Sequence, residues 1–566
     1  MDRRTLLAVG LSFILLVLYQ WYMNTVYPPP EPGVQVATES SKEPPGSSGP
    51  ESIPVTPEAP GEATDVRVGK GPAGPTLETA AASIAPPPAR IAESSAKAAV
   101  VPFGNKVVSG SLSSAGGRLV DLRFLDYRDK LGPDGAPIRY LDGTPGKQFF
   151  VGESGILAAP GLAIPDQTTL WEVASQPEPG SGGELRLTWD NGQGLLFEKI
   201  LIFNPEGYQF EVRDRVTNRT GQALTVHHFS QLIRSEPGQS EEGGGPPAMD
   251  FEGPMGFLND ARVQFKYEEL RQGDQLQRSR TGWAGYSDKY FLAAMGGIDS
   301  GEERRFYFDY DTPNHRVGMV TPGLVVASGA SGEFRARLYV GPKEIRILES
   351  QGWHLERSID YGWFHFLAEP LVKLLLIFND FMHNFGLAII TLTLLIKLLF
   401  FPLANKSYHS MNAMKKLQPK VEQLRKLYGD DRKRLNEEMM KLYQENKVNP
   451  LGGCLPIVVQ IPVFFALYKV LYLSIEMRHA PFFLWIQDLS AMDPYYVLPV
   501  LMGASMFLQT KMNPAPADPI QAKVMLFLPL IFTVMFLTFP SGLVLYWLVN
   551  NILSISQQGY IMKKAG

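Results

Sequence analysis

The stretch FGLAIITLTLLIKLLFFPL, residues 385–403, is an apolar run with the character of a membrane helix that carries one cation, Lys397. A lysine at the centre of a membrane helix costs about 2.5–3.5 kcal/mol on insertion scales, so its ammonium group normally has a polar partner or a wet cavity. A helix that served only as an anchor would not need this charge. The run therefore predicts a membrane helix with a polar site at Lys397.

The chain as a whole has 566 residues, a net charge of −4 and 45% hydrophobic residues, values that many classes of protein share. The average conceals a division, because residues 1–27 and 363–560 are strongly apolar whereas residues 28–350 have the composition of a soluble protein. The single cysteine, Cys454, excludes an internal disulfide framework and a cysteine-based zinc site. Neither a cofactor nor a metal ion is expected.

The N-terminus places Arg3 and Arg4 ahead of the apolar segment Leu6–Leu18, which aromatic residues follow. This order predicts an uncleaved membrane anchor with a cytoplasmic N-terminus. A cleaved secretory signal is the alternative, although no small-x-small cleavage site follows. Residues 28–100 are rich in Pro, Ala, Gly and Ser and predict a flexible tether.

From about Val100 the hydrophobic pattern has a period of two. Phe210 and Val212 alternate with polar residues, as do Phe306 and Phe308, and Gly/Pro turn signals separate such runs. Short alternating strands of this kind predict an all-β sandwich. With a cytoplasmic N-terminus, this domain lies outside the inner membrane.

The β domain shows no recognisable catalytic or metal-binding motif. His227 and His228 are adjacent and therefore face opposite sides of a strand, while Asp214 and Asp250 have no recognisable partner. We expect a binding or scaffolding role.

The patterns of the whole chain divide it into seven parts. These are an anchor at 1–27, a linker at 28–100, a β-sandwich at 101–350, an interfacial amphipathic helix at 353–367, a second span at 368–403, a basic helical hairpin at 404–447, and four spans with a short tail at 448–566.

The hairpin contains eleven Lys or Arg residues against six acids, an excess of five positive charges that predicts a cytoplasmic location. Its apolar residues recur at steps of three and four, so we expect two amphipathic helices joined at 429–431. The hairpin either closes on its own apolar stripe or docks on ribosomal RNA or anionic lipid headgroups. The docking residues in the second interpretation are Lys415, Lys416, Lys420, Arg425, Lys426, Arg432, Lys433 and Arg434.

Other polar residues recur on helix faces within the predicted spans. Thr393 precedes Lys397 by one helical turn, Gln460 lies between two prolines, and the last span repeats polar or aromatic residues at steps of three and four. In one interpretation these side chains form hydrogen bonds between neighbouring helices, and the lysine snorkels towards the membrane surface. In the other they line a hydrated groove, and the number of polar residues favours this second interpretation. The candidate groove residues are Thr393, Lys397, Gln460, Trp547, Asn551 and Ser554.

The C-terminal region, residues 362–560, closely resembles the YidC/Oxa/Alb family of membrane protein insertases. The resemblance rests on NPLGGCLPIVVQIPVFFALY (449–468), APFFLWIQDLSAMDPYYVLP (480–499) and FPSGLVLYWLVNN (539–551). The layout of the N-terminal half is similar to the Gram-negative YidC type. This resemblance implies a polytopic α-helical membrane protein with six transmembrane helices, a five-helix core around a hydrophilic groove, and a periplasmic β-sandwich of the supersandwich type.

The same resemblance implies an insertase and chaperone of the bacterial inner membrane, not an enzyme. The count of six spans and the positive charges beside them predict that both termini lie in the cytoplasm. The implied partners are nascent membrane proteins, the ribosome, the Sec translocon (SecYEG and SecDF) and anionic lipids, and not DNA. The positive charge of the groove, usually an arginine, falls here on Lys397, a point charge without a bidentate fork. The substrate-contacting Thr and Tyr of the family correspond to Thr393 and Trp547.

Two other classes of function are weaker alternatives. A small-solute transporter or channel could use the same lysine, but such proteins usually contain internal repeats, and we find none in the sequence. An intramembrane enzyme could pair Ser541 with Lys397, but Ser541 is expected at the outer end of its span and Lys397 nearer the cytoplasm.

Overall fold

The computed structural model describes residues 98–144, 148–237, 251–298, 301–428, 431–446, 448, 455–513 and 519–565. The predicted anchor, nearly all of the predicted linker, Asp250 and Cys454 lie outside these ranges. Within them, a β domain precedes a helical region.

Two antiparallel sheets pack through a shared hydrophobic core and confirm the predicted β-sandwich. The first sheet has the spatial order β1 (Val100–Gly104), β2 (Val108–Ser113), β3 (Arg118–Arg128), β4 (Pro137–Asp142), β5 (Phe150–Ala158), β10 (Leu224–Ser235), β17 (Asn314–Val320), β16 (Arg304–Asp311) and β13 (Gln275–Ser279), with β18 (Leu324–Val326) also beside β10. The second has the order β12 (Ala261–Gln264), β11 (Gly253–Leu258), β14 (Gly282–Ser287), β15 (Phe291–Gly297), β19 (Ser331–Pro342), β9 (Gln209–Asn218), β8 (Leu195–Phe203), β7 (Gly183–Asp190) and β6 (Glu172–Ser175).

Alternation along the strands places the core between the sheets. On β9, Phe210, Asp214 and Val216 are buried, whereas the intervening Glu211 and Arg215 are partly exposed. Successive side chains of a strand point to opposite faces, so one face of β9 contributes to the core. One of these buried residues is an acid, which requires partners in the interior.

Asp214 is the centre of a buried polar cluster that joins the two sheets, and the expectation that it had no recognisable partner is wrong. Its carboxylate accepts hydrogen bonds from Lys199 Nζ at 2.7 Å and Ser154 Oγ at 2.6 Å, and it lies 3.0 Å from His228 Nε2. Lys199 and Asp214 are neighbours on β8 and β9, whereas Ser154 and His228 belong to β5 and β10 of the other sheet. The cluster therefore ties the sheets together by charge-assisted bonds.

Lys199→Met is expected to destabilise the β domain by about 3–5 kcal/mol, because it leaves a buried carboxylate without its cation. Burial alone would raise the pKa of Asp214, but Lys199 and His228 outweigh it and hold that pKa well below its ordinary range. Chemical denaturation of the full chain, followed by near-UV circular dichroism, measures the loss. The double variant Lys199→Met/Asp214→Leu should recover most of it, and equal losses in both variants would contradict a charge origin.

The helical region follows β19. The helices of the described residues are α1 (Tyr267–Gln272), within the β domain, and α2 (Ile345–Gln351), α3 (His365–Met382), α4 (Phe385–Leu399), α5 (Phe401–Tyr428), α6 (Arg432–Glu445), α7 (Leu455–Leu473), α8 (Val497–Met512), α9 (Pro519–Met535) and α10 (Ser541–Ala565). Short 3₁₀ turns occupy Leu355–Ser358, Gly362–Phe364, Ile475–Met477 and Phe536–Thr538.

The sequence predicts one interfacial helix at 353–367 and one span at 368–403, and the structure differs from both predictions. The first segment contains two 3₁₀ turns before α3 begins, and a break within the second segment separates α3 from α4. At this break His383 is left-handed (φ 51°), and the Asn384 side chain accepts a hydrogen bond from the first turn of α4. The cap starts a new helix, so α3 and α4 pack against each other and do not continue as one span.

A second break lies at Phe400, where α5 leaves α4 at an angle of 67°. The α5 and α6 helices contact each other in the region predicted as a hairpin at residues 404–447, although α5 begins earlier, at Phe401. Taken singly, no described helix combines the length and apolar composition needed to cross a bilayer, whereas the bent pair of α4 and α5 meets both criteria.

The β domain meets the helical region around α2 and the end of α7. The Arg346 guanidinium on α2 pairs with the Asp380 carboxylate on α3, with Nη1 and Oδ1 2.9 Å apart. The Lys289 ammonium of the β domain lies 3.8 Å from the ring centroid of Tyr472 on α7, a cation–π contact. Charged groups therefore hold this junction alongside apolar packing.

The carboxyl group of Glu476, directly after α7, makes the junction sensitive to pH. Burial, with a contribution from the Glu344 carboxylate, raises the pKa of Glu476 from 4.5 to about 7. The packed junction favours the protonated acid, so this stabilisation is complete below about pH 4.5 and is lost as the pH rises through about 7. Hydrogen exchange of α2, corrected for its intrinsic rate, is expected to accelerate over this window.

Glu476→Gln mimics the neutral acid and should make the corrected exchange rate of α2 independent of pH between about 4.5 and 7. A Glu476→Gln protein that kept the pH dependence of the native chain would show that another group is responsible.

Candidate functional site

A cavity of about 30 Å³ lies beside Lys397, where α4, α5 and α7 come together. By the usual requirement of about 10–15 Å³ for one water molecule, this volume is large enough for roughly two. Its polar lining side chains are Lys397, Tyr408 and Gln460, which is enough to bind water in an otherwise apolar space. The lining residues are Ile396, Lys397, Phe400, Leu403, Ala404, Tyr408, Val459 and Gln460.

The Lys397 ammonium group is hydrogen-bonded but not neutralised by this site. It donates to the Ser554 hydroxyl of α10 at 2.8 Å, and that hydroxyl donates to the Asn550 carbonyl oxygen at 2.8 Å. None of the described residues that line the cavity carries a carboxylate. The site therefore presents a positive charge beside polar groups within an apolar helix bundle.

Gln460 and Trp547 have different surroundings. The Gln460 amide donates to the Tyr546 hydroxyl at 2.8 Å, which joins α7 to α10 at the edge of the cavity. The Trp547 ring packs against Phe464 and Phe536, with ring centroids 4.7 and 4.9 Å apart. Trp547 thus belongs to an aromatic cluster between α7, α9 and α10 and does not line the cavity.

Thr393 and Asn551 make helix contacts in this structure. The buried Thr393 hydroxyl donates to the Ile389 carbonyl oxygen of its own helix at 2.6 Å. The Asn551 amide donates to the Ser505 hydroxyl of α8 at 2.9 Å. Of the six candidate groove residues, Lys397, Gln460 and Ser554 meet at or next to the cavity, and the other three do not line it.

Ser541 is remote from Lys397. It is buried at the first residue of α10, where its hydroxyl donates to the Asp488 carbonyl oxygen at 2.9 Å. Ser554, which contacts Lys397, is 13 residues further along the same helix, or about 20 Å. A serine–lysine catalytic pair is therefore excluded.

The predicted docking residues lie on α5 and α6. Arg434 lies 5.2 Å from the ring centroid of Tyr428, so the two helices contact each other near their turn. The side chain of Arg432 is outside the described part of the chain, and Lys415 and Arg425 are half-buried. The exposed members are Lys416, Lys420, Lys426, Lys433 and Arg434.

Sequence reasoning missed Tyr408, Tyr546 and Ser505. Tyr408 opens a basic stretch that reads as solvated, and only the bend at Phe400 turns it back towards Lys397. Tyr546 precedes the predicted Trp547 and lies on another face of α10. The sequence does contain a signal for Tyr546, because it is a polar residue next to a predicted groove position. It contains no signal for Ser505, because the contact of Ser505 with α10 depends on how the two helices cross.

Two protein families match the two parts of this chain. The YidC periplasmic domain matches residues 100–374, and the 60Kd inner membrane protein family matches residues 377–566. These matches agree with the division between the β domain and the helical region.

The curated relatives point to the same family. A protein named "Membrane protein insertase YidC" from Magnetococcus marinus is 54% identical over 577 residues, covering 100% of this chain and 99% of the relative. The protein of that name from Methylococcus capsulatus is 41% identical over 465 residues, covering 81% and 84%. A crystal structure of an active YidC insertase is 19% identical, has a TM-score of 0.36, and covers 84% of this chain and 95% of that one. The chain belongs to the YidC family of membrane protein insertases, which act on nascent membrane proteins and are not enzymes.

Proposed function

We propose that this insertase takes the polar segment of a nascent membrane protein into the cavity beside Lys397, while the adjoining apolar segment passes along α4 and α10 into lipid. The contact of the Lys397 ammonium with Ser554, at the edge of a cavity that also contains Tyr408 and Gln460, is the observation that carries the proposal. No covalent bond changes; the protein lowers the cost of moving polar groups across an apolar layer.

The positive charge of Lys397 gives the cavity a preference for acidic residues of the substrate. Two unit charges about 4 Å apart attract by about 4 kcal/mol at an effective dielectric of 20, and more weakly where water enters. The lining side chains that are described supply no competing carboxylate. An acidic residue in the translocated segment therefore provides the counter-charge for Lys397.

The size of the cavity sets a condition on this mechanism. About 30 Å³ accommodates water but not a peptide segment. We propose that α5 and α7, which contribute Tyr408 and Gln460, move away from α4 when a substrate enters. The hydrogen bond between Gln460 and Tyr546 breaks in this step and re-forms after release.

The surface of the helical region supports contact with lipid. Leu530, Ile531 and Val534 on α9 are exposed, as are Leu398 and Leu399 near Lys397. The α8 and α9 helices have 16 and 17 residues, about 24 and 26 Å, which is shorter than the roughly 30 Å of an average hydrocarbon core. Short helices thin the bilayer around them, which lowers the barrier for a translocated segment.

For topology, we propose six spans: the anchor at 1–27 and the five core helices α4, α7, α8, α9 and α10. Both termini then lie in the cytoplasm, the β domain lies in the periplasm, and α5 and α6 face the cytoplasm. The exposed lysines and arginines of that hairpin fit a phosphate-rich partner, either the ribosome or anionic lipid. We propose that the protein works alone and beside the Sec translocon.

Lys397→Glu is expected to slow insertion of a single-span substrate with an acidic translocated segment by about ten-fold or more, because attraction becomes repulsion. Lys397→Arg keeps the charge and should retain most of the rate. Protease protection of the substrate in proteoliposomes measures this. Lys130→Glu, at an exposed lysine in the loop after β3, is the matched control. Equal rates for native protein, Lys397→Glu and Lys130→Glu would contradict the proposed role.

Asn551→Ala tests whether a candidate groove residue acts only between helices. We expect a loss of about 0.6–1.7 kcal/mol in the stability of the helical region, since one interhelical hydrogen bond is removed. Insertion per folded molecule should be unchanged. Ser505→Ala in the same background should add little, because both changes break one bond. A large drop in insertion without a loss of stability would instead assign Asn551 to the groove.

A further inference from the structure

A second polar cleft, of about 240 Å³, lies where the β domain meets the start of α3. Its charged lining comprises the Arg262 and Arg357 guanidinium groups and one carboxylate, that of Asp360. With His365 neutral, this lining carries a net charge of +1. The lining residues are Phe257, Arg262, Arg357, Asp360, Gly362 and His365.

Arg262 fixes the backbone that presents Arg357. Its Nε donates to the Arg357 carbonyl oxygen and its Nη2 to the Ile359 carbonyl oxygen, both at 2.9 Å. Its Nη1 lies 2.6 Å from Asp360 Oδ1, and the same carboxylate accepts from the Gly362 amide at 2.9 Å. The acid of the cleft is therefore occupied by groups inside the protein, and the 357–362 segment is held in place.

Arg357 is the cation of the cleft that remains accessible. Its side chain is exposed, and its Nη1 lies 3.3 Å from His365 Nε2. The nearby Glu369 carboxylate pairs with Lys373 at 3.0 Å and also approaches His365 at 3.3 Å. A guanidinium beside an imidazole presents several N–H donors on one side, which suits the oxygens of a phosphate group.

The start of α3 adds to the anion preference through its dipole. The N-terminal end of a helix carries a partial positive charge, and the first turn of α3 contains no acidic residue that would offset it. His365, the first residue of α3, lines the cleft, and its backbone amide donates to the Gly362 carbonyl oxygen. The helix end therefore contributes a field at the cleft and not a free His365 amide.

Exposed aromatic side chains flank the cleft. Trp363 is 96% exposed and Phe366 is 74% exposed, and they directly follow the lining residues Gly362 and His365 in the chain. Further along α3, Ile377 and Phe381 are also exposed and share a helix face with Phe366. Aromatic side chains beside basic ones are typical of segments that lie at headgroup level.

We propose that this cleft binds the phosphate group of an anionic phospholipid, with Arg357 as its main donor; the location of that lipid in the outer leaflet rests on the topology proposed above. The exposed aromatic residues favour a phosphate that is carried by a lipid over a free phosphate ion, because they enter the acyl boundary while the cleft meets the headgroup. The bound lipid fixes the height of the β domain above the bilayer through the 357–362 segment.

The test is a titration of the detergent-purified full chain with dioleoyl phosphatidylglycerol, with the number of bound lipids counted by native mass spectrometry. Arg357→Gln should weaken one binding step by about ten-fold, the loss expected for one charge-assisted hydrogen bond. Arg357→Lys keeps the charge and should retain most of that binding. Arg219→Gln, at an exposed arginine in the turn after β9, is the matched control and should bind as the native chain does.

Two further titrations distinguish the source of the phosphate. Dioleoyl phosphatidylcholine should bind this step more weakly, and millimolar inorganic phosphate should not displace phosphatidylglycerol from it. Equal lipid counts for Arg357→Gln and Arg219→Gln would overturn the site. Displacement by inorganic phosphate would overturn the lipid assignment, and equal binding of phosphatidylcholine would overturn the preference for an anionic lipid. Thermal unfolding of each variant confirms that it is folded.

Discussion

An ammonium group inside an apolar helix must keep polar contacts, and the arrangement of the helical region follows from this constraint at Lys397. One hydrogen bond to Ser554 ties α4 to α10, and a cavity large enough for water lies beside it. Two helix breaks make this possible. The break at His383 and Asn384 sets the start of α4, and the bend at Phe400 turns α5 so that Tyr408 reaches the same cavity.

Buried cations have different partners in the β domain and in the helical region. In the β domain, Lys199 pairs with Asp214, and the Arg316 guanidinium pairs with Asp309 at 2.7 Å, so these buried cations have counter-ions. Such pairs fix one arrangement of the sheets, because removing either partner leaves an uncompensated charge. Among the described residues that line its cavity, Lys397 has polar neighbours but no counter-ion. In the proposed mechanism the substrate supplies it, which is why this charge is suited to function and the others to stability.

The junction between the β domain and the helical region contains ion pairs as well as charged groups that remain ionisable or accessible. The Arg346–Asp380 pair joins α2 to α3, and Glu476 gives the same junction a carboxyl group that ionises near neutral pH. Arg262 of β12 neutralises Asp360 of the 357–362 segment, and Arg357 of that segment remains accessible beside exposed aromatic residues. In the proposed topology, the β domain is thus positioned by ion pairs to the helices and by a lipid at the bilayer surface.

The sequence by itself determined the class of the protein, the β-sandwich, and the presence of a polar site at Lys397. These features depend on local periodicity and on the cost of a cation in an apolar run, which neighbouring residues reveal. Only the tertiary structure decided which polar residues surround that site. Tyr408 and Ser554 are 11 and 157 positions from Lys397, and Asp214 finds Ser154 60 positions away. The helix break at Asn384, the bend at Phe400 and the pairing of β-strands bring these side chains together, and no single stretch of sequence contains that information.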